Sequence, residues 1–259
     1  MKKQVIMILS LLLAICMLGC TATANPVEAP AADDSEHTIE ERFDMASAYI
    51  ESLIDASKAE VQTDTEDPEY PQRHWFFSGA ADGATIPEAL TVDGKSFTIG
   101  QVTVKELKEL GLNIESGSDV IEPSYALMIN ISDGLKSLTI TTAGNDTDQD
   151  IPLDDAVIVG FQGGFNEYTI PFDYAGITEA STLKDVLSLF ASEDWEGIMG
   201  LTASEYDTEI TVQMYSTVQS GETETLKSLD ITLSYSASSN TATVTNVVLN
   251  IDIHPIPEE

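Results

Sequence analysis

Hydrophobic residues recur along this chain with two different periods, and the switch between them divides it into elements. Ile39, Phe43, Ala46, Ile50, Leu53, Ile54 and Val61 return at helical spacing, while Glu40, Glu41, Asp44, Glu51, Asp55 and Glu60 fall mostly between them. That pattern predicts an amphipathic helix ended by the Pro-rich acidic stretch 64–73, with Thr38 and Glu41 as a capping box at its start. Further on the period is two. Tyr125, Leu127, Ile129 and Ile131 share a face, as do Leu138 and Ile140, then Ile210, Val212 and Met214, then Leu229, Ile231, Leu233 and Tyr235. One-sided alternation of this kind predicts antiparallel strands with one face packed and the other wet. Ser132-Asp133-Gly134 marks a hairpin. The apolar parity passes from Ala242 and Val244 to Val247, Leu249, Ile251 and Ile253, which predicts a bulge near Asn246.

These elements recur, and each half reads as strand, helix, then three strands. Phe97-Thr98-Ile99-Gly100 precedes Thr103-Val104-Lys105-Glu106-Leu107, and Tyr168-Thr169-Ile170-Pro171 precedes Thr182-Leu183-Lys184-Asp185-Val186. Leu135-Lys136-Ser137-Leu138-Thr139-Ile140-Thr141 has a near copy in Leu226-Lys227-Ser228-Leu229-Asp230-Ile231-Thr232, and Ala156–Val159 aligns with Asn246–Leu249. Thr103 with Glu106, and Thr182 with Asp185, each set an N-cap hydroxyl three residues before an acid. Val104, Leu107 and Leu110 form the apolar face of the first short helix, with Gly111 at its C-cap; Leu183, Val186, Leu187 and Phe190 form that of the second. The expected fold class is α+β: an N-terminal amphipathic helix followed by two tandem, duplicated antiparallel-sheet modules, each with one short helix. The expected divisions are a signal peptide at 1–19, an acidic tether at 20–38, helix and first module at 39–162, and second module at 163–259.

The N-terminus supplies an address. Lys2 and Lys3 precede an apolar run from Val5 to Leu18 that ends in Met17-Leu18-Gly19-Cys20. The run is shorter than the roughly 20 residues that span a bilayer, and the tetrapeptide is a lipobox in which small Gly19 precedes the cysteine to be acylated. Cys20 is therefore the expected lipidation site, anchoring the protein to the membrane on its extracytoplasmic side. Cys16 leaves with the signal, so no thiol is left for a disulfide, a metal site or a nucleophile.

Forty-four acidic residues against 11 Lys and Arg give a formal net charge of −33, which weighs against nucleic acid and anionic lipid as partners. Among three histidines, His37 lies in the tether and His254 near the C-terminus, leaving His74 as the one histidine placed for general-base chemistry. No nucleophile elbow, zinc motif, phosphate loop or dinucleotide fingerprint occurs. Asp146, Asp148 and Asp150 form an alternating acidic run. An EF-hand would need Gly and Glu where Ile151 and Val157 stand, so these acids make at most a weak surface Ca2+ site and no other cofactor is implied. His74, Trp75, Phe76 and Phe77 are consecutive rings: either a stacking patch for a sugar or peptide, or a core anchor.

The lipobox and tether, with Val92-Asp93-Gly94-Lys95, Phe97-Thr98-Ile99-Gly100 and Thr103-Val104-Lys105-Glu106-Leu107, resemble lipoproteins of Gram-positive anaerobic bacteria, a group that carries no established activity. The resemblance covers residues 1–24 and 90–160 and implies a lineage only. The expected function is a lipid-anchored, non-enzymatic surface module that binds a protein or a carbohydrate. The alternatives are a cell-envelope hydrolase using paired carboxylates and a solute-binding lipoprotein.

Overall fold

A computed structural model of the chain describes residues 36–79, 86–122, 126–143, 149–189, 196–220 and 223–255. Cys20, Tyr125, Asp146, Asp148 and Phe190 lie outside the described residues. Helix α1 (Ile39–Glu51) starts at the Thr38–Glu41 capping box and ends earlier than its periodicity predicts. Asp55 accepts from Ser57 N to set a 3₁₀ turn at Ala56–Lys58, and Val61 falls in strand β1 (Ala59–Asp64). A tertiary partner overrides the helical pattern there: β1 pairs along its whole length with β2 (Gln72–Ser78).

Two short strands, β3 (Ala89–Val92) and β4 (Lys95–Thr98), lead into α2 (Val104–Glu109). Its Thr103–Glu106 box is formed, and Gly111, at φ +81°, lets Leu112 N donate back to Leu107 O at 3.1 Å. There follow β5 (Ile114–Glu115), β6 (Val120–Ile121), β7 (Ala126–Ser132), β8 (Ser137–Ala143), β9 (Ile151–Pro152), β10 (Val157–Gly164) and β11 (Phe172–Tyr174). Helix α3 (Leu183–Ser188) precedes four long strands: β12 (Glu196–Ala203), β13 (Thr208–Ser220), β14 (Thr223–Ser236) and β15 (Thr241–Pro255). The predicted hairpin joins β7 and β8, where Asp133 Oδ1 accepts from Leu135 N and Lys136 N.

The expected fold class is corrected by the sheet. With 52% of the described residues in strands and three α-helices among them, the protein is mainly β rather than two α+β modules. One ten-stranded antiparallel sheet runs β1-β2-β12-β13-β14-β15-β10-β8-β7-β5, and a small sheet, β11-β3-β4, lies apart from it. The boundary drawn at 162/163 falls inside β10, and residues 34–259 form one compact unit.

The repeat is nevertheless visible, as a pseudo-two-fold within that sheet. In β8–β10, Ile140 pairs with Phe161 and Thr141 with Gly160; Val159 is then skipped and Thr142 pairs with Ile158. In β14–β15, Ile231 pairs with Val247 and Thr232 with Asn246; Thr245 is skipped and Leu233 pairs with Val244. This is the bulge expected near Asn246, and it occurs in both copies. The caps dock alike: Ile158 N donates to Val102 O and Val244 N to Ser181 O, each at 2.9 Å. Ile158 therefore corresponds to Val244, four residues from the alignment of Ala156–Val159 with Asn246–Leu249. Equal distances along the chain do not mark equal strand positions, because β8 and β10 are separated by β9 and a 3₁₀ turn whereas β14 turns directly into β15. The equivalent strands β10 and β15 pair with each other through Phe161–Leu249, Gln162–Val248 and Gly163–Val247, so the two-fold passes beside the Gln162–Val248 pair.

All three helices and the small sheet lie on one face. Phe43, Ala46 and Ile50 of α1 are buried, and α1 packs over β12 and β13. Arg73 lies over Phe43 and Trp75, at 5.3 and 6.0 Å from their ring centroids. The small sheet contributes Phe172 and Tyr174, whose rings stand 5.8 and 5.4 Å from Phe161 of β10. Close approach there requires Gly163, since a Cβ would stand 2.5 Å from Leu138 Cδ1 and 2.6 Å from Phe172 Cε1. No described helix is long and apolar enough to cross a membrane.

Candidate functional site

The four consecutive rings are divided by the pleat. Trp75 and Phe77 point into the core beneath α1, while His74 and Phe76 stand half-buried on the opposite face with centroids 6.0 Å apart. A strand sends neighbours to opposite sides, so an unbroken ring patch cannot form on β2. Burial lowers the His74 pKa, which keeps the ring neutral near pH 7. Asp150 is exposed just before β9, and no cluster of three or more metal-ligating side chains is found among the described residues.

The face that carries His74 and Phe76 is uncovered by any described element. A single row of paired residues crosses it, from Glu60 at one edge through Phe76, Ile198, Gln213, Asp230, Val248, Gln162, Thr139 and Asn130 to Glu115 at the other. With strands about 4.8 Å apart, the row spans roughly 43 Å. Threonines, amides and scattered rings dominate it, as a wet sheet face requires.

Two places on this face are chemically distinct. Asp230 is half-buried on β14, and burial pushes its carboxyl up to about 6, against the pull of a hydrogen bond from Gln213. Tyr215, on the adjacent strand, has its pKa raised by burial and by Asp230 and Glu196. This arrangement can exchange a proton near neutral pH. The second place is an open depression of about 510 Å³ beside the two-fold, between β7, β8, β10 and the turn after β10. Ten residues line it, among them Met128, Thr139, Gln162, Gly164, Tyr168 and Asn246, and none is charged.

Neither place is evident in the sequence pattern. Asp230 is one acid among 44, at a wet position of an ordinary alternating strand. Tyr168 belongs to a segment expected as a strand; it forms a turn instead, because Asn166 Oδ1 accepts from Tyr168 N at 2.9 Å and Pro171 follows. The one signal available was Gly163-Gly164 at the end of a strand, which marks a close approach or an opening. In comparison with known proteins, no family model, curated protein or solved structure matches this chain.

Proposed function

We propose that this protein is a lipid-anchored, extracytoplasmic binding protein of a Gram-positive envelope that presents the uncovered face of its ten-stranded sheet to a ligand. Support for the address comes from the lysine-led apolar segment and the lipobox cysteine, Cys20. Support for binding rests on one observation: the uncovered face is continuous across ten strands and carries Phe76, Tyr215 and hydrogen-bonding side chains, while every described helix is committed to the other face. The alternative, hydrolysis by paired carboxylates, would draw on Asp230 and Glu196, which both bear on Tyr215.

Both parts are tested in cells. Cys20→Ala should release the protein into the medium, and its retention in the membrane would refute the anchor. In the anchored protein, a photo-crosslinking residue at Thr211, on the uncovered face, should form adducts in intact cells, whereas one at Glu40, exposed on α1, should not. Equal labelling from both positions, or none from Thr211, would refute the face as the binding surface.

A further inference from the structure

We propose that the depression over Gly164 is a binding site for an uncharged, hydroxyl-rich ligand, a neutral glycan; this rests on the reading of the uncovered face as the ligand surface. The argument starts from charge. In a chain with 44 acids, most of the surface repels anions and attracts cations, yet the ten residues around this depression carry no charge. An anionic ligand would find no counter-ion there, and the neighbouring carboxylate, Glu167, is held by a hydrogen bond from the Tyr168 hydroxyl. A polyol would find amides and hydroxyls.

The site is built rather than incidental. Phe165 anchors the turn by stacking on Phe172, centroids 4.4 Å apart, while its N donates at 2.8 Å to the carbonyl of Thr245, the bulged residue of β15. Asn166 Oδ1 accepts from Tyr168 N and, at 3.2 Å, from Thr169 Oγ1, and Ser137 N donates to Tyr168 O at 2.9 Å. Tyr168 is therefore 61% exposed on a turn tied down at both ends. A ring held this way loses little freedom on binding and offers a flat surface for the C–H face of a sugar. Gln162 and Asn246 each bring two amide donors and an acceptor, and among the described residues neither makes a side-chain hydrogen bond. Glycine at 164 keeps the site open: a Cβ would stand 3.1 Å from Asn166 Nδ2 and 3.8 Å from Asn246 Oδ1, between the two amides.

The pseudo-two-fold supplies an internal comparison. By strand pairing, Gly164 corresponds to Asn250, Gln162 to Val248, Thr139 to Asp230 and Met128 to Thr211. At that second position Asn250 leans over Gly160, its Oδ1 3.0 Å from where a Cβ would be, and an acid replaces the hydroxyl. Each copy sets a glycine of β10 against an asparagine of β15, but where one has the hydroxyl of Thr139 and the amide of Gln162 its counterpart has the acid Asp230 and the apolar Val248. Duplication alone would have left them alike.

The test is affinity electrophoresis of the full chain carrying Cys20→Ala through gels containing galactomannan, xyloglucan, mixed-linkage β-glucan or starch, with polygalacturonate as the anionic comparison. Retardation by at least one neutral polymer and not by polygalacturonate is expected. Tyr168→Ala and Gln162→Ala, both at exposed positions, should each weaken that retardation at least ten-fold, whereas Lys108→Ala on α2 should not. No retardation by any neutral polymer, or retardation unchanged in both variants, would overturn the assignment. If Thr211 still crosslinks in cells, that failure leaves the broader reading of the face standing; if it does not, both fall.

Discussion

Asp230 shows how a single position can be costly and informative together. Its side chain stands at a wet position of β14, yet the crowding of a central strand half-buries it and raises its pKa from an ordinary 3.8 to about 6. The folded chain thus holds this proton more tightly than the unfolded chain does. Its contribution favours folding below the unfolded value and is lost as pH rises through about 6. Asp230→Asn keeps the shape and an acceptor for Gln213, so it should raise the Tm by several degrees relative to the parent at about pH 7.5, with the difference vanishing near pH 4. The gain is bounded at about 3 kcal/mol. Differential scanning fluorimetry across that range checks it; a gain that persists at low pH would mean the carboxyl is not the cause. The His74 to Phe77 run teaches the complementary point, because four rings adjacent in sequence belong to two different surfaces once they lie on a strand.

Local chemistry was legible at the level of the element wherever it is closed within a few residues. The capping boxes at Thr38 and Thr103, the Thr182 N-cap, the left-handed Gly111 and the Ser132-Asp133-Gly134 hairpin all form as their sequences predict. The bulge at Thr245 was equally readable, since a change of apolar parity has no other solution in a strand that must keep one face buried. β1, which depends on a distant partner, carried a helical pattern, whereas the segment around Tyr168 carried a strand-like pattern that the local Asn166 turn overrides. The two short helices are equivalent in length and docking, and in each the N-cap threonine donates its N and Oγ1 to the acid three residues on, although only Thr103 Oγ1 also accepts from the N3 backbone. Thr103→Ala and Thr182→Ala should therefore each cost about 1 kcal/mol, and add when combined because they sit in different halves. Urea denaturation would show it, and a cost confined to one helix would contradict their equivalence.

For the whole molecule, the duplication has produced one sheet and not two domains. Its halves join through β10 and β15, central strands whose Phe161, Val247 and Leu249 are buried in the common core. The N-terminal hairpin β1–β2 then extends the second half by pairing with β12, so residues 59–78 complete structure formed by residues 196–220. A chain ended after Phe161 loses β11–β15 and α3, so β10 loses its partner β15, β2 loses its partner β12, and the sheet is cut into two unconnected pieces. Such a fragment should lack a cooperative thermal transition and dispersed amide resonances; a folded product would restore the picture of independent modules. Joining the halves also brings the bulge of β15 beside the turn after β10, and in that way Asn246, Tyr168 and Thr169 of the second half meet Met128, Ser137, Thr139 and Gln162 of the first around one depression.

Reading the residues alone was enough to find the periodicities, the caps, the turn chemistry and the existence of a repeat, because each is encoded over a few positions and stabilised by neighbours in the chain. Which strands pair, which face stays uncovered and which side chains gather around Gly164 depend on contacts between residues tens of positions apart. The same wet alternation along β10 and β14 is compatible with two separate sheets or with one, and burying Phe161 against the small sheet and α1 against β12 and β13 selects the single sheet.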